Sequence, residues 1–152
     1  MKKVLLLLLA VSLTMTSCKK EETEEQPEAT ENTVKLQIDN NAEIDFKDSF
    51  SAMVLGGRLI IGAADNASGS DIQFSLDPSI ATGTYTTGFI ITHGVNGQAV
   101  FATAINASGE SLTITTHNTN SKHLKGNFTL NFTDNNTQAN RHAEGSFDIT
   151  YN

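Results

Sequence analysis

Tryptophan is absent from this chain, cysteine occurs once and proline twice. Lysine and arginine together number 10 against 17 aspartates and glutamates, for a formal charge of −7. Each shortage excludes something. One cysteine cannot build a disulfide framework, so the folded part must draw its stability from a packed core. The deficit of basic residues argues against nucleic acid, whose affinity comes from neutralising phosphates with Lys and Arg. With no tryptophan and two tyrosines, the chain has little to offer as aromatic platforms for sugars, although Asn-rich faces could still hydrogen-bond a glycan. Long apolar runs are missing too. The longest, Val4 to Val11, falls short of the roughly 20 residues that a membrane-spanning helix needs.

That short run is nonetheless the stretch around which the chain is organised. Lys2 and Lys3 precede it, and Ser12 to Ser17 shift towards small and hydroxylated residues, which completes the three parts of a secretory signal. Cys18 follows at the cleavage position. Met15-Thr16-Ser17-Cys18 resembles the lipobox of bacterial lipoproteins, with Met15 where leucine is commoner. The resemblance implies that residues 1–17 are removed as a signal peptide and that Cys18 becomes a lipidated N-terminus carrying diacylglyceryl and palmitate-type chains. One acyl chain binds a bilayer reversibly, whereas two or more hold it stably. An ordinary secretory signal is the alternative, and it would leave a lone exported thiol without a role.

From Cys18 to Asn32 the chain reads as an acidic flexible linker. Glu21, Glu22, Glu24, Glu25, Glu28 and Glu31 stand against Lys19 and Lys20, Pro27 interrupts any helix, and no apolar side chain exceeds alanine. Such a segment cannot bury enough surface to offset its ordering entropy, and its charges extend it. Lys19-Lys20-Glu21-Glu22 directly after Cys18 also resembles the charged export signals of surface lipoproteins in Bacteroidota.

The remainder, residues 33–152, is long enough for one domain and alternates apolar with polar residues throughout. Val34, Leu36 and Ile38 alternate with Lys35, Gln37 and Asp39; Ile72, Phe74 and Leu76 repeat the pattern. So do Leu124, Phe128, Leu130 and Phe132, and later Phe147, Ile149 and Tyr151. Gly56-Gly57 and Asn96-Gly97 are two-residue hairpin turns, because these residues accept positive φ. About nine to eleven short strands with no helical spacing fit an all-β fold, expected as an antiparallel two-sheet β-sandwich. A lipocalin-like β-barrel is the alternative, weakened because that family's usual N-terminal motif contains tryptophan. Gly83-Thr84-Tyr85, Leu124-Lys125-Gly126-Asn127-Phe128 and Gly145-Ser146-Phe147-Asp148-Ile149, in that order after a lipobox, resemble small uncharacterised Bacteroidota lipoproteins. That resemblance implies a lipid-anchored protein of the outer membrane, at the cell surface or on the periplasmic face. It carries no catalytic residues with it.

Motifs for chemistry are sparse. There is no G-x-S-x-G elbow, and the one cysteine is assigned to lipid, so a hydrolase site would have to assemble from dispersed polar residues. His117 and His123 flank the loop 118–122, and simple alternation turns both away from the core, because Thr116 and Leu124 then point inward. Two outward histidines beside a tight loop are a weak metal candidate, since a firm zinc site takes three or four ligands. Asp65 to Asp71 has the flavour of a calcium loop without the EF-hand spacing, and polar turn is the better account. Glu144 and Asp148 share a strand face, as two glycosidase carboxylates would, but solvated strand charges are commoner. No cofactor is expected. Two classes of function follow: a non-catalytic binding or interaction module on a lipid tether, with an envelope protein or a glycan as partner, or an envelope hydrolase.

Overall fold

The computed structural model describes residues 31–102 and 109–151. The expected signal peptide, Cys18 and all of the expected linker except Glu31 and Asn32 lie outside the described residues. The described residues form eleven strands: β1 (Thr33–Ile38), β2 (Ile44–Phe46), β3 (Ser49–Leu55), β4 (Arg58–Asp65), β5 (Ser70–Leu76), β6 (Gly83–Tyr85), β7 (Ile90–Val95), β8 (Gln98–Ala102), β9 (Ser111–Asn118), β10 (His123–Thr133) and β11 (Asn140–Thr150). They form a six-stranded sheet in the order β2-β1-β11-β10-β9-β6 and a five-stranded sheet in the order β3-β4-β5-β7-β8. The pairing is antiparallel throughout.

The two sheets face each other as a β-sandwich and do not close into a barrel. This overturns the barrel alternative, and the edges explain why. Closure needs a continuous ladder between edge strands, but β2 and β6 are three residues each. At another edge, the β8 carbonyls of Val100 and Ala99 are taken by the amide and the side chain of Asn135, in the β10–β11 loop. Strand β3 keeps its outer edge free of hydrogen bonds to other described residues.

The predicted alternation sets the core. Val34, Leu36, Ile72, Phe74, Leu76, Leu124, Phe128, Leu130, Phe147 and Ile149 are all buried between the sheets. Both predicted hairpin turns form, with positive φ at Gly56, Gly57, Asn96 and Gly97.

At the centre, β10 and β11 pair large residues with glycine: Gly126 lies opposite Phe147, and Phe128 lies opposite Gly145. Each ring covers the space that its partner leaves open. A Cβ on Gly126 would press on the Thr113 carbonyl and come 2.6 Å from Phe147 Cζ; one on Gly145 would strike the Lys35 carbonyl and Phe128 Cζ. Phe74 reaches across from the other sheet to both rings, with centroids 5.5 Å from Phe128 and 5.2 Å from Phe147. Edge-on and tilted pairs at this spacing are favoured by the ring quadrupoles.

Gly145→Ala should therefore destabilise the domain by about 1–3 kcal/mol, because backbone and a packed ring cannot swing aside for the methyl. Phe128→Ala should cost about 3–5 kcal/mol through the cavity it leaves. Thr129→Ala, one residue along on the outer face, should stay within about 1 kcal/mol. Urea melts of the three variants check the order; comparable losses at Phe128 and Thr129 would mean that the strand faces are assigned wrongly.

Candidate functional site

The outer face of the six-stranded sheet is polar by the same period that makes its inner face apolar. Its central strands stand in register, so the outward side chains form rows across the sheet. Gln37, Glu144, Thr129 and Ser111 make one row, and Lys35, Ser146, Asn127 and Thr113 the next. Gln37, Glu43, Asn127, Thr129, Glu144 and Ser146 line a shallow groove here. Lys35 Nζ reaches Glu43 Oε1 at 2.8 Å along its rim. Hydroxyls, amides and carboxylates at inter-strand spacing can hydrogen-bond an extended polar ligand or the polar surface of another protein.

Beside this groove, Asp148 holds two basic side chains. Its Oδ1 is 2.6 Å from His123 Nε2, and its Oδ2 is 2.8 Å from Lys125 Nζ. Partial burial pushes the Asp148 carboxyl up, but the hydrogen bonds and charges of Lys125 and His123 outweigh it and hold the group below its ordinary value. Glu144 lies four residues along the same strand, roughly 13 Å away at strand rise. That is beyond the separation of about 5–9.5 Å used by paired glycosidase carboxylates.

No family model matches the chain, and no curated protein matches it.

His117 does not lie beside His123. The register between β9 and β10 shifts between Lys125 and Gly126, leaving Thr115 as the extra residue of a β-bulge. One inserted residue reverses the alternation beyond it. His117 thus lies opposite Leu124, on the core side, while His123 stays on the outer face. The His117 ring is held at both nitrogens, with Nδ1 2.5 Å from the Ile80 carbonyl and Nε2 2.6 Å from the Tyr151 hydroxyl. In the neutral ring, Nδ1–H donates to that carbonyl and the tyrosine hydroxyl donates to Nε2. His117 so pins the β5–β6 connection and the residue after β11 onto β9. Among the described residues no three His, Cys, Asp or Glu side chains group as metal ligands. At the end of β4, the Asp65 carboxylate accepts from the amides of Ala67 and Ser68 and from the Ser68 hydroxyl, which makes the following loop a polar turn.

Alternation alone does not reveal two further polar centres. At the end of the sandwich away from Asn32, Asp39 takes the His142 amide at 2.9 Å and Arg141 Nε at 2.7 Å. Those two partners hold its carboxyl below the usual range. Arg141 also reaches the buried Asp134 at 3.4 Å, and Asp134 caps the amides of Asn136 and Thr137. The second centre is His93, buried beside the rings of Phe46 and Phe101. Its Nδ1 lies 2.8 Å from the Asp71 carbonyl. The only sequence signal for it is a histidine at an apolar position of strand alternation.

Burial lowers the His93 ring below its ordinary value of 6.5, outweighing the Asp71 carbonyl and carboxylate, which pull upward. The unfolded chain then takes up the proton first as pH falls, so stability declines from about pH 6.5 downward. Asp148 acts in a lower window: its contribution is present above the ordinary carboxylate value of 3.8 and is lost as pH falls through its depressed folded value. Thermal midpoints taken from pH 7 to pH 5 should fall, and His93→Phe should flatten that slope even if it lowers the midpoint at pH 7. An unchanged slope would remove His93 as its cause.

Proposed function

We propose that this chain is a lipid-anchored lipoprotein of the cell envelope, with a β-sandwich that acts as a non-catalytic binding module. The observation that carries the anchor is the single cysteine, Cys18, standing immediately after an apolar run that ends Met15-Thr16-Ser17. Two basic residues before the run and an acidic segment after it complete the pattern that resembles Bacteroidota lipoproteins. Outer-membrane attachment, on the surface or the periplasmic face, is part of the same reading.

The fold supports a module that reaches away from its anchor. Asn32, just before β1, accepts the Thr150 amide at 2.7 Å, so the linker meets the sandwich beside the last residues of β11. From that end β10 runs eleven residues, His123 to Thr133, roughly 35 Å at strand rise. The Asp39–Arg141–Asp134 cluster holds the β1–β2 turn and the β10–β11 loop together at the far end. The groove between Gln37 and Ser146 lies on the face between these ends. Its amides, hydroxyls and carboxylates suit a polar partner, an envelope protein or a glycan.

His93 is buried and His117 is held at both ring nitrogens, so neither is free to exchange a proton with a substrate as a general base must. His123 and His142 hold Asp148 and Asn131 through one ring nitrogen each.

Intact-mass analysis of protein extracted from membranes should find Cys18 at the N-terminus, carrying lipid, with residues 1–17 gone. Cys18→Ser should move the protein to the soluble fraction or leave its precursor uncleaved. An unmodified Cys18, or retained signal residues, would sink the anchor.

A further inference from the structure

Among the described residues, the exposed large hydrophobic side chains are three neighbours on one edge strand: Met53 at 52%, Val54 at 57% and Leu55 at 65% exposure. Sheet edges are templates for pairing, and proteins blunt them with charge, proline, short strands or a covering loop. Three of the four edges here are blunted. Strands β2 and β6 have three residues each, and β2 carries Asp45. The carbonyls of Ala99 and Val100 on β8 are occupied by Asn135. Strand β3, Ser49-Phe50-Ser51-Ala52-Met53-Val54-Leu55, has seven residues and neither charge, proline nor glycine.

From this contrast we infer that β3 is a dimerisation edge, which pairs antiparallel with β3 of a second copy of the chain and joins the two five-stranded sheets into one. The register follows from the hairpin. A two-residue turn makes Leu55 and Arg58 a hydrogen-bonded pair. The backbone groups of Leu55, Met53 and Ser51 then face β4, while those of Phe50, Ala52 and Val54 face outward. Full overlap of two such strands places the two-fold axis at Ala52. Ala52 then meets Ala52 of the second copy, and Phe50 meets its Val54. Those pairs close six backbone hydrogen bonds, and no charge stands opposite a like charge although each copy is acidic overall.

Side-chain shape agrees with this register. Phe50 and Ala52 line a cleft that continues over Ile61 to Ile149 and Tyr151. Val54 of the second copy, on the same face as Phe50, enters the mouth of that cleft. Met53 and Leu55 on the other face pack against Ser51 and Ser49 of the second copy. Pairing is isologous and consumes the one open edge found among the described residues of each copy, so assembly stops at two. A contact built on one strand pair lies at the small end of protein interfaces, and the dimer is therefore reversible.

Sedimentation velocity of the purified full chain over a wide concentration range should show a monomer–dimer equilibrium with no larger species. Met53→Lys should raise the dissociation constant about tenfold or more, whereas Thr129→Lys on the other sheet should leave it unchanged. Thermal unfolding of Met53→Lys, measured at a concentration where both proteins are monomeric, should match the parent, since Met53 is exposed. Register is tested by mixing full chains carrying Ser51→Cys and Met53→Cys. These positions form a non-hydrogen-bonded pair with Cα atoms about 4.5 Å apart, within disulfide reach. Oxidation of the mixture should give a heterodimer band above that of either variant alone and of the parent, which reports any pairing through Cys18. Monomer at every concentration, a ladder of higher oligomers, or equal cross-linking in the unmixed variants would each overturn the proposal.

Discussion

The sandwich depends on one interlock. Phe128 and Phe147 lie over each other's glycine partners on adjacent strands, and Phe74 closes on both rings from the opposite sheet. Glycine gives no side chain to pack and weakens a strand interior. Here Gly126 and Gly145 are needed because the backbone of β9 and β1 and the two rings already fill the space a methyl would take. With no disulfide in the folded part, this packing joins the sheets and holds β10 and β11 in the register that lines up the outer polar rows.

Two irregularities adjust what the regular ladder would produce. The bulge at Thr115 turns His117 inward, where it ties three separate parts of the chain together. In β8, the register shift opposite His93 and Gly94 leaves Val100 as the extra residue, and its carbonyl accepts from Asn135 of the β10–β11 loop. Both bulges therefore convert a strand residue into a fastening between elements. The charged groups serve similarly: Arg141 spans Asp39 and Asp134, and Asp148 gathers His123 and Lys125. Exposed ion pairs contribute little to stability, so their larger effect is to hold loops and edge residues in place.

Edge management connects fold to function. Short strands and the Asn135 loop protect three edges, and the unprotected one is also the one bearing exposed apolar side chains. Pairing through β3 would leave the outer face of the six-stranded sheet uncovered, because β3 belongs to the other sheet. A second copy and a polar partner could then be held at once. The surface proposed for the partner is hydrogen-bonding and charged, whereas the edge proposed for the copy is apolar and uncharged.

The sequence by itself determined the all-β class, the core parity of most strands and the two hairpin turns. Each of these follows from local rules: side chains alternate with period two, and a two-residue turn needs residues that accept positive φ. The readings of a signal, a lipid-bearing Cys18 and a linker rest on the sequence alone, in residues that the structure, apart from Glu31 and Asn32, does not describe. Much of the candidate face was legible too, since Lys35, Gln37, Asn127, Thr129, Glu144 and Ser146 alternate with core residues. What only the tertiary structure decided is which strands share a sheet, and that the sheets stay open. It also decided that His117 turns inward, that Asp39 meets Arg141, and that Gly126 and Gly145 receive the two rings. These depend on the partner strand: a bulge has no signature in the strand that carries it, and a glycine's neighbour is known only once register is set.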